Sequence, residues 1–209
     1  MTQAIAHRKF EPGTTGWTIH DLDDPQIFWE WSEGRHEIVD GVLTTMAPQG
    51  FETVDPLEEL RVFLEDHLRS IGQRGGKFYR EVDLLLKDDR VARPDLQFLT
   101  KQQRREQKRI SRERGLPEKK YHPVYVTPAL LIESLSPGHE HHDRVTKRAW
   151  YAQAKIPHYW LLTPHERSLV CLTLKGSKYV EEAVGEDIQT VAVQLFGGVK
   201  IPLAQIWGD

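Results

Sequence analysis

Cysteine is nearly absent. Cys171 is the only one in 209 residues, so no intramolecular disulfide can form, and a reducing, cytoplasmic setting is expected. Long apolar runs are missing as well. No stretch approaches the roughly 20 apolar residues of a membrane-spanning helix. Met1 to Phe10 carries no apolar core of signal-peptide type, so no membrane partner is expected. Internal repeats and low-complexity linkers are absent too, which predicts one domain over residues 26–209 after an irregular segment, residues 1–25. Neither a helix-turn-helix nor a zinc-finger pattern is visible, so any nucleic-acid sequence preference would rest on loops. What is present, 39% hydrophobic and 28% charged residues, suffices to bury a core and is not a disordered composition.

An excess of positive charge is also lacking, since the formal net charge is −3. That average hides a block. Lys101 to Lys120 (KQQRREQKRISRERGLPEKK) holds nine basic and three acidic residues, a local +6 that leaves the rest of the chain at −9. Only Ile110 and Leu116 are apolar there, so no conventional hydrophobic helix face is expected. The good helix formers predict a solvated helix from about Lys101 to Arg114, ended by Gly115 and Pro117. Taken alone, such a run is ordinarily a solvated insertion. The sharper reading is an arm that tracks phosphates.

Elsewhere the pattern alternates. His36 to Met46 reads as a hairpin about Asp40-Gly41. Leu57, Leu60, Phe63, Leu64, Leu68 and Ile71 recur at helical spacing, predicting a core-facing helix from about Val54 to Ile71. Strands are expected at Phe78–Leu86, Asp95–Leu99, within Val124–Leu135, and at His158–Leu162, Leu169–Leu174, Lys178–Val184 and Thr190–Leu195. A helix is expected from His139 to Ala154, ahead of Pro157. A mixed α/β domain is the economical architecture.

The informative residues are acids inside apolar strands. Glu133 lies in Ala129-Leu130-Leu131-Ile132-Glu133-Ser134-Leu135, where an ionised carboxylate is expensive without a cation, donors or a metal. Asp95 opens the strand after Pro94. If the two strands are neighbours, both carboxylates can face one cavity, an oxygen-rich site suited to Mg²⁺ or Mn²⁺. Asp143, Lys147 and Tyr151 follow at i, i+4 and i+8 and share a helix face that can fold back beside Glu133. A lysine there can orient an attacking water and stabilise charge on a phosphoryl group. The ordinary alternative is an exposed Asp143–Lys147 pair worth a few tenths of a kcal/mol. Glu37 is a further candidate, its alternative being an exposed strand acid beside a turn.

His139, His141 and His142 sit at the start of the same helix, with His139 and His142 at i, i+3, a spacing a transition metal could use, although no fourth ligand is evident. Trp29, Trp150 and Trp160 are expected as core or interface anchors, and Cys171, in an apolar strand, as inert.

Pro94-Asp95, Leu131-Ile132-Glu133-Ser134-Leu135-Ser136-Pro137, Asp143-Arg144-Val145-Thr146-Lys147-Arg148, Tyr151 and Ala154 to Leu162 form an ordered set. Together with His36-Glu37-Ile38-Val39-Asp40-Gly41 and the closing Pro202 to Trp207, it resembles the Uma-type restriction endonucleases, a mostly bacterial branch of the PD-(D/E)XK nuclease superfamily. The resemblance spans about Trp29 to the C-terminus. It implies a restriction-endonuclease-like fold: a mixed central sheet flanked by helices, with additional C-terminal strands.

The resemblance also implies Mg²⁺- or Mn²⁺-dependent hydrolysis of DNA phosphodiester bonds. Asp95 and Glu133 match the metal-binding acids, and Glu37 matches an acid supplied near the N-terminal helix. The superfamily's lysine two positions after the second acid is missing, since Leu135 stands there, and Lys147 takes its place on the following helix. Asp143 would orient Lys147 rather than bind metal, and Tyr151 would pack against or hydrogen-bond the group. Two departures stand out. The segment after Met46 lacks a histidine that family members often carry, and the basic block is an unusual insertion between the two acids. An insertion of this charge favours DNA contact, with Lys101, Arg104, Arg105, Lys108, Arg109 and Arg112 as candidate contacts. A homodimer would suit cutting both strands. The rival is a catalytically silent nucleic-acid-binding or interaction protein that keeps the fold, and a phosphoesterase built on the histidines is a third possibility.

Overall fold

The computed structural model describes residues 8–46, 50–114, 123–138 and 140–208. In chain order it begins with α1 (Pro25–Ser32), β1 (His36–Val39), β2 (Val42–Thr45), α2 (Phe51–Ser70), β3 (Lys77–Arg80), β4 (Leu84–Lys87) and β5 (Arg90–Ala92). There follow β6 (Leu96–Leu99), α3 (Lys101–Glu113), β7 (Leu130–Ser134), and a π-helical turn (His142–Lys147) that continues as α4 (Arg148–Gln153). The chain ends with β8 (His158–Thr163), β9 (Ser168–Lys175), β10 (Lys178–Glu186), β11 (Thr190–Val193), β12 (Val199–Pro202) and a closing helical turn (Leu203–Trp207). No helix among the described residues is long and apolar enough to cross a membrane.

Contacts divide the chain into two compact units, Met1–Pro48 with Asp83–Arg93, and Gln49–Val82 with Pro94–Asp209. The first holds an antiparallel sheet in the order β2-β1-β5-β4. Its hairpin turns at Asp40 (φ 49°) and Gly41 (φ 79°), two consecutive left-handed residues of the kind a twisted two-residue turn requires. The aromatic segment from Gln26 is helical: Asp24 caps α1 through the backbone N–H groups of Gln26 and Ile27, and Pro25 occupies its first turn. Ahead of it, residues 8–24 are irregular apart from a 3₁₀ turn, Ile19–Asp23. They are nonetheless packed, with Trp17 fully buried and the Arg8 guanidinium 3.8 Å from its ring centre. Trp31 supplies the buried indole of α1, whereas Trp29 is 62% exposed and anchors no core in this unit.

The single strand expected over Phe78–Leu86 is two strands, β3 and β4, that belong to different sheets. Glu81 adopts a left-handed φ of 47°, which ends the extended run between them. Apolar alternation continues through this break, which is why periodicity alone overlooks it.

The second unit carries a six-stranded sheet in the order β10-β9-β8-β7-β6-β3. Only β7 and β8 run parallel. A parallel pair needs a crossover, and the segment containing α4 provides it. One sheet face presents Leu96, Phe98, Leu130, Ile132, Trp160 and Leu162 to a core shared with Leu57, Leu60, Leu64 and Leu68 of α2. The small β11–β12 sheet and the closing turn join the same core through Val191, Val199, Ile201, Leu203 and Ile206. Because strand side chains alternate, Leu131, Glu133, Tyr159 and Leu161 fall on the opposite face. Tyr151 of α4 covers that face, its ring 5.1 Å from Tyr159.

His158, at the start of β8, is held neutral. Burial pushes its imidazole below the ordinary range, outweighing the pull of the Glu182 carboxylate 3.9 Å away. The unfolded chain takes up a proton near pH 6.5 that the folded chain resists. The stability His158 contributes is therefore complete above about pH 6.5 and declines as pH falls toward its lowered folded value. Relative to His158→Gln, the wild-type thermal midpoint should fall more steeply below pH 6.5, with parallel profiles above it. Profiles that stay parallel to pH 5 would contradict the assignment.

Candidate active site

The register of β6 against β7 pairs Leu96 with Ile132, and its next step sets Asp95 opposite Glu133. Beyond the ladder the carboxylates themselves bond across the strands. Asp95 Oδ2 accepts the Ser134 N–H at 2.8 Å, and Glu133 Oε2 accepts the Asp95 N–H at 3.3 Å. Pro94 fixes the entry to β6. Asp95 is 4% and Glu133 1% exposed. Two like charges directly across a sheet destabilise it unless donors and cations hold them.

The holding groups come from the helix after β7. Lys147 Nζ lies 3.2 Å from Glu133 Oε1 and 3.2 Å from Asp143 Oδ1, and is 1% exposed. The Tyr151 hydroxyl donates to the same Glu133 oxygen at 2.8 Å. The exposed Asp143–Lys147 pair weighed from the sequence is thus a buried bridge. Asp143 Oδ1 meets Lys147 as an ion pair only, without hydrogen-bond alignment.

The expected α-helix begins instead as a π-helical turn over His142–Lys147. The Arg148 N–H reaches back five residues to the Asp143 carbonyl, which also accepts the Tyr159 hydroxyl at 3.1 Å. A side-chain donor at this carbonyl accompanies the widened turn, which delivers Lys147 inward above Tyr151. Burial, then the charges of Glu133 and Asp143, push the Tyr159 phenol well above its usual range. Tyr159 therefore remains a donor throughout the working pH range.

The site has the donor chemistry for a divalent cation. Two carboxylates on neighbouring strands offer hard oxygen ligands, and Mg²⁺ commonly takes only one or two carboxylates, leaving the other positions to water and phosphate. Among the described residues no cluster of three or more His, Cys, Asp or Glu side chains is set to hold a metal. His139 lies outside the described residues. His141 is exposed, and the His142 ring stands edge-on to Trp150 at 5.7 Å.

Glu37 belongs to the first unit. It is 1% exposed rather than a solvated strand acid, and its Oε1 accepts the Arg93 N–H at 2.8 Å. Asp83, also 1% exposed, accepts the Trp31 indole N–H at 2.8 Å and the Arg93 guanidinium at 2.6 Å. Asp83 and Arg93 escaped sequence analysis. The signal available was an acid flanked by Val82 and Leu84, the pattern that exposed Glu133.

The basic helix α3 is docked in the second unit through polar groups. Gln103 donates to the Thr127 carbonyl, and Arg104 donates to Tyr79 Oη and the Gly75 carbonyl. Gln107 donates to the Pro123 carbonyl and accepts the Tyr125 N–H. Hydrogen bonds therefore do what an apolar face usually does, a role the i, i+4 glutamines could have announced. Docking divides the six candidate contacts. Arg104 is turned inward, and Arg109 is paired with Glu106 and Glu113. Lys101, Arg105, Lys108 and Arg112, spaced four, three and four residues apart, form an exposed stripe with no ion pair among the described residues.

Removing one member of the buried group should expose its cost. Lys147→Met leaves two carboxylates without their cation and should destabilise the protein by about 3–5 kcal/mol in urea unfolding. Tyr151→Phe loses one hydrogen bond to a charged group and should cost about 1.5–3 kcal/mol. A Lys147→Met loss below that of Tyr151→Phe would show that the ammonium does not hold the carboxylates.

Comparison with known proteins agrees with this architecture. The solved structure of a putative nuclease belonging to DUF820, from Anabaena variabilis ATCC 29413, superposes with a TM-score of 0.62. It covers 87% of this chain and 96% of its own at 15% sequence identity, a likeness of fold. No curated protein matches. The family model Uma2, described as "Putative restriction endonuclease", matches residues 23–204, and the chain belongs to that family.

Proposed function

We propose that this chain is a Mg²⁺- or Mn²⁺-dependent endonuclease that hydrolyses phosphodiester bonds in DNA, acting in the cytoplasm. The observation that carries this reading is the pair of buried cross-strand carboxylates, Asp95 and Glu133, with the Lys147 ammonium 3.2 Å from Glu133. Asp95 and Glu133 would hold the cation, which supplies positive charge to the phosphoryl oxygens when bound.

The chain's own residues divide the remaining work. Lys147 orients the attacking water and stabilises negative charge as it develops on the phosphoryl group. Asp143 keeps the ammonium aimed. Tyr151 is a positioning residue that saturates Glu133 Oε1 together with Lys147 and fixes the carboxylate's rotation. Glu37 is assigned an assisting role on the family resemblance. Lys101, Arg105, Lys108 and Arg112 would follow a phosphate backbone, since four cations spread over twelve residues of helix span about 16 Å. A homodimer would place one site on each strand of the duplex.

Cleavage of plasmid DNA under Mg²⁺ or Mn²⁺ tests the proposal. Asp95→Ala and Glu133→Ala should each lower the rate by at least about 10²-fold, and Lys147→Met by a similar factor. Activity surviving both acid variants would refute the assignment. Salt-dependent DNA binding without cleavage under any divalent ion would favour the silent nucleic-acid-binding protein. Replacing the four exposed stripe residues by Gln should reduce the slope of log affinity against log salt by up to about 0.9 per residue. Arg109→Gln should change it least, because Arg109 is already paired.

A further inference from the structure

On the outer side of the lysine-bearing helix lies a groove of about 800 Å³, between the π turn with α4 and the β9–β10 hairpin. Its lining includes four cations, Arg144, Arg148, Lys155 and Lys178, and no acid. Two of them are positioned from beneath. Arg148 donates to the Tyr179 carbonyl at 3.1 Å, and Arg144 to Thr163 Oγ1 at 3.3 Å. A guanidinium has five N–H donors, so each of these bonds leaves others to direct at a ligand. Val145, Ala149 and Ala152 form an apolar wall, with Val145 52% exposed. Lys147 and Tyr151 occupy the inward face of the same helix, so this groove is separate from the carboxylate site.

We propose that the groove binds a nucleoside phosphate: an anion whose phosphate meets the cations and whose base lies on the apolar wall. Three features select this chemistry. The volume is in the range of small-molecule sites and far exceeds what a bare inorganic anion fills. Every charged residue of the lining is a cation, and of these only Arg144 is ion-paired among the described residues, with Glu166 at 3.5 Å. Ser177 lines the groove as a neutral hydrogen-bonding group. It suits the edge of a base, whereas an aliphatic tail offers its hydroxyl nothing. The ligand is either a free nucleotide or the terminal nucleotide of a strand, and the two share the same contacts.

The full chain, with Ala and Val methyl groups ¹³C-labelled, is titrated in EDTA with adenosine 5′-monophosphate, a single-stranded hexanucleotide or inorganic phosphate. The expected result is a saturable shift of the Val145, Ala149 and Ala152 methyls with at least one of the two nucleotide probes. Inorganic phosphate should bind at least tenfold more weakly than that probe. A response to the mononucleotide identifies a free-nucleotide site, and a response to the oligonucleotide alone identifies a strand end. Lys155→Ala with Lys178→Ala should weaken binding at least tenfold. Ala149→Trp should abolish it by filling the groove from an exposed position, with the circular dichroism spectrum unchanged. Shifts confined to other methyls, affinity indifferent to these variants, or the same methyls responding only to an acidic peptide would overturn the proposal. The readout involves no cleavage and no metal, so it stands apart from the nuclease reading.

Discussion

Two carboxylates facing each other across adjacent strands are the constraint around which the second unit is organised. Buried carboxylates at positions 95 and 133 are costly to desolvate, and the surroundings answer them with donors and a cation. Backbone N–H groups freed at the end of the β6–β7 ladder accept the load first. Lys147 and Tyr151 complete it from the opposite direction. The strand end, the crossover helix and the sheet face covered by that helix are therefore parts of one electrostatic solution rather than three packing decisions.

The position of the lysine follows from the same geometry. Side chains alternate along a strand, so a residue two positions after Glu133 lies on its face and could reach the same cavity. Leu135 occupies that position and is fully buried. The ammonium arrives from the crossover helix instead, through a turn one residue wider than an α-turn. Tyr159, on the neighbouring parallel strand, bonds the Asp143 carbonyl within that turn. Delivery of the charge thus depends on how α4 sits over β7 and β8.

Much of this was legible in the sequence because burial and chemistry conflict there visibly. Glu133 stands out in an apolar run, Asp95 follows a proline at a strand entry, and Asp143, Lys147 and Tyr151 share a face by simple spacing. The hairpin at Asp40-Gly41 and helix α2 were equally plain from turn chemistry and apolar period. The π turn was not, because the hydroxyl that accompanies it comes from Tyr159, sixteen residues beyond the carbonyl it contacts. The break at Glu81 was hidden because apolar residues continue on both sides of it. Asp83 and Arg93 were overlooked since an acid and an arginine ten residues apart show no periodic relation, and only the fold reveals them as a buried pair.

The net charge of −3 conceals a separation by environment more than by sequence. Three acids, Asp95, Glu133 and Asp143, lie where water is largely excluded, and charge there is little screened. Positive charge is concentrated on exposed side chains, on one stripe of α3 and along the rim of the α4 groove, where it acts weakly per residue and falls with salt. These two kinds of charge have different uses. Exposed cations gather a polyanion and release it as ionic strength rises, without demanding a fixed geometry. On the proposed nuclease reading, buried acids would hold a small cation in one place and would repel the same polyanion without it. Ionic strength would then govern encounter with nucleic acid, and a divalent ion would govern engagement of the buried site.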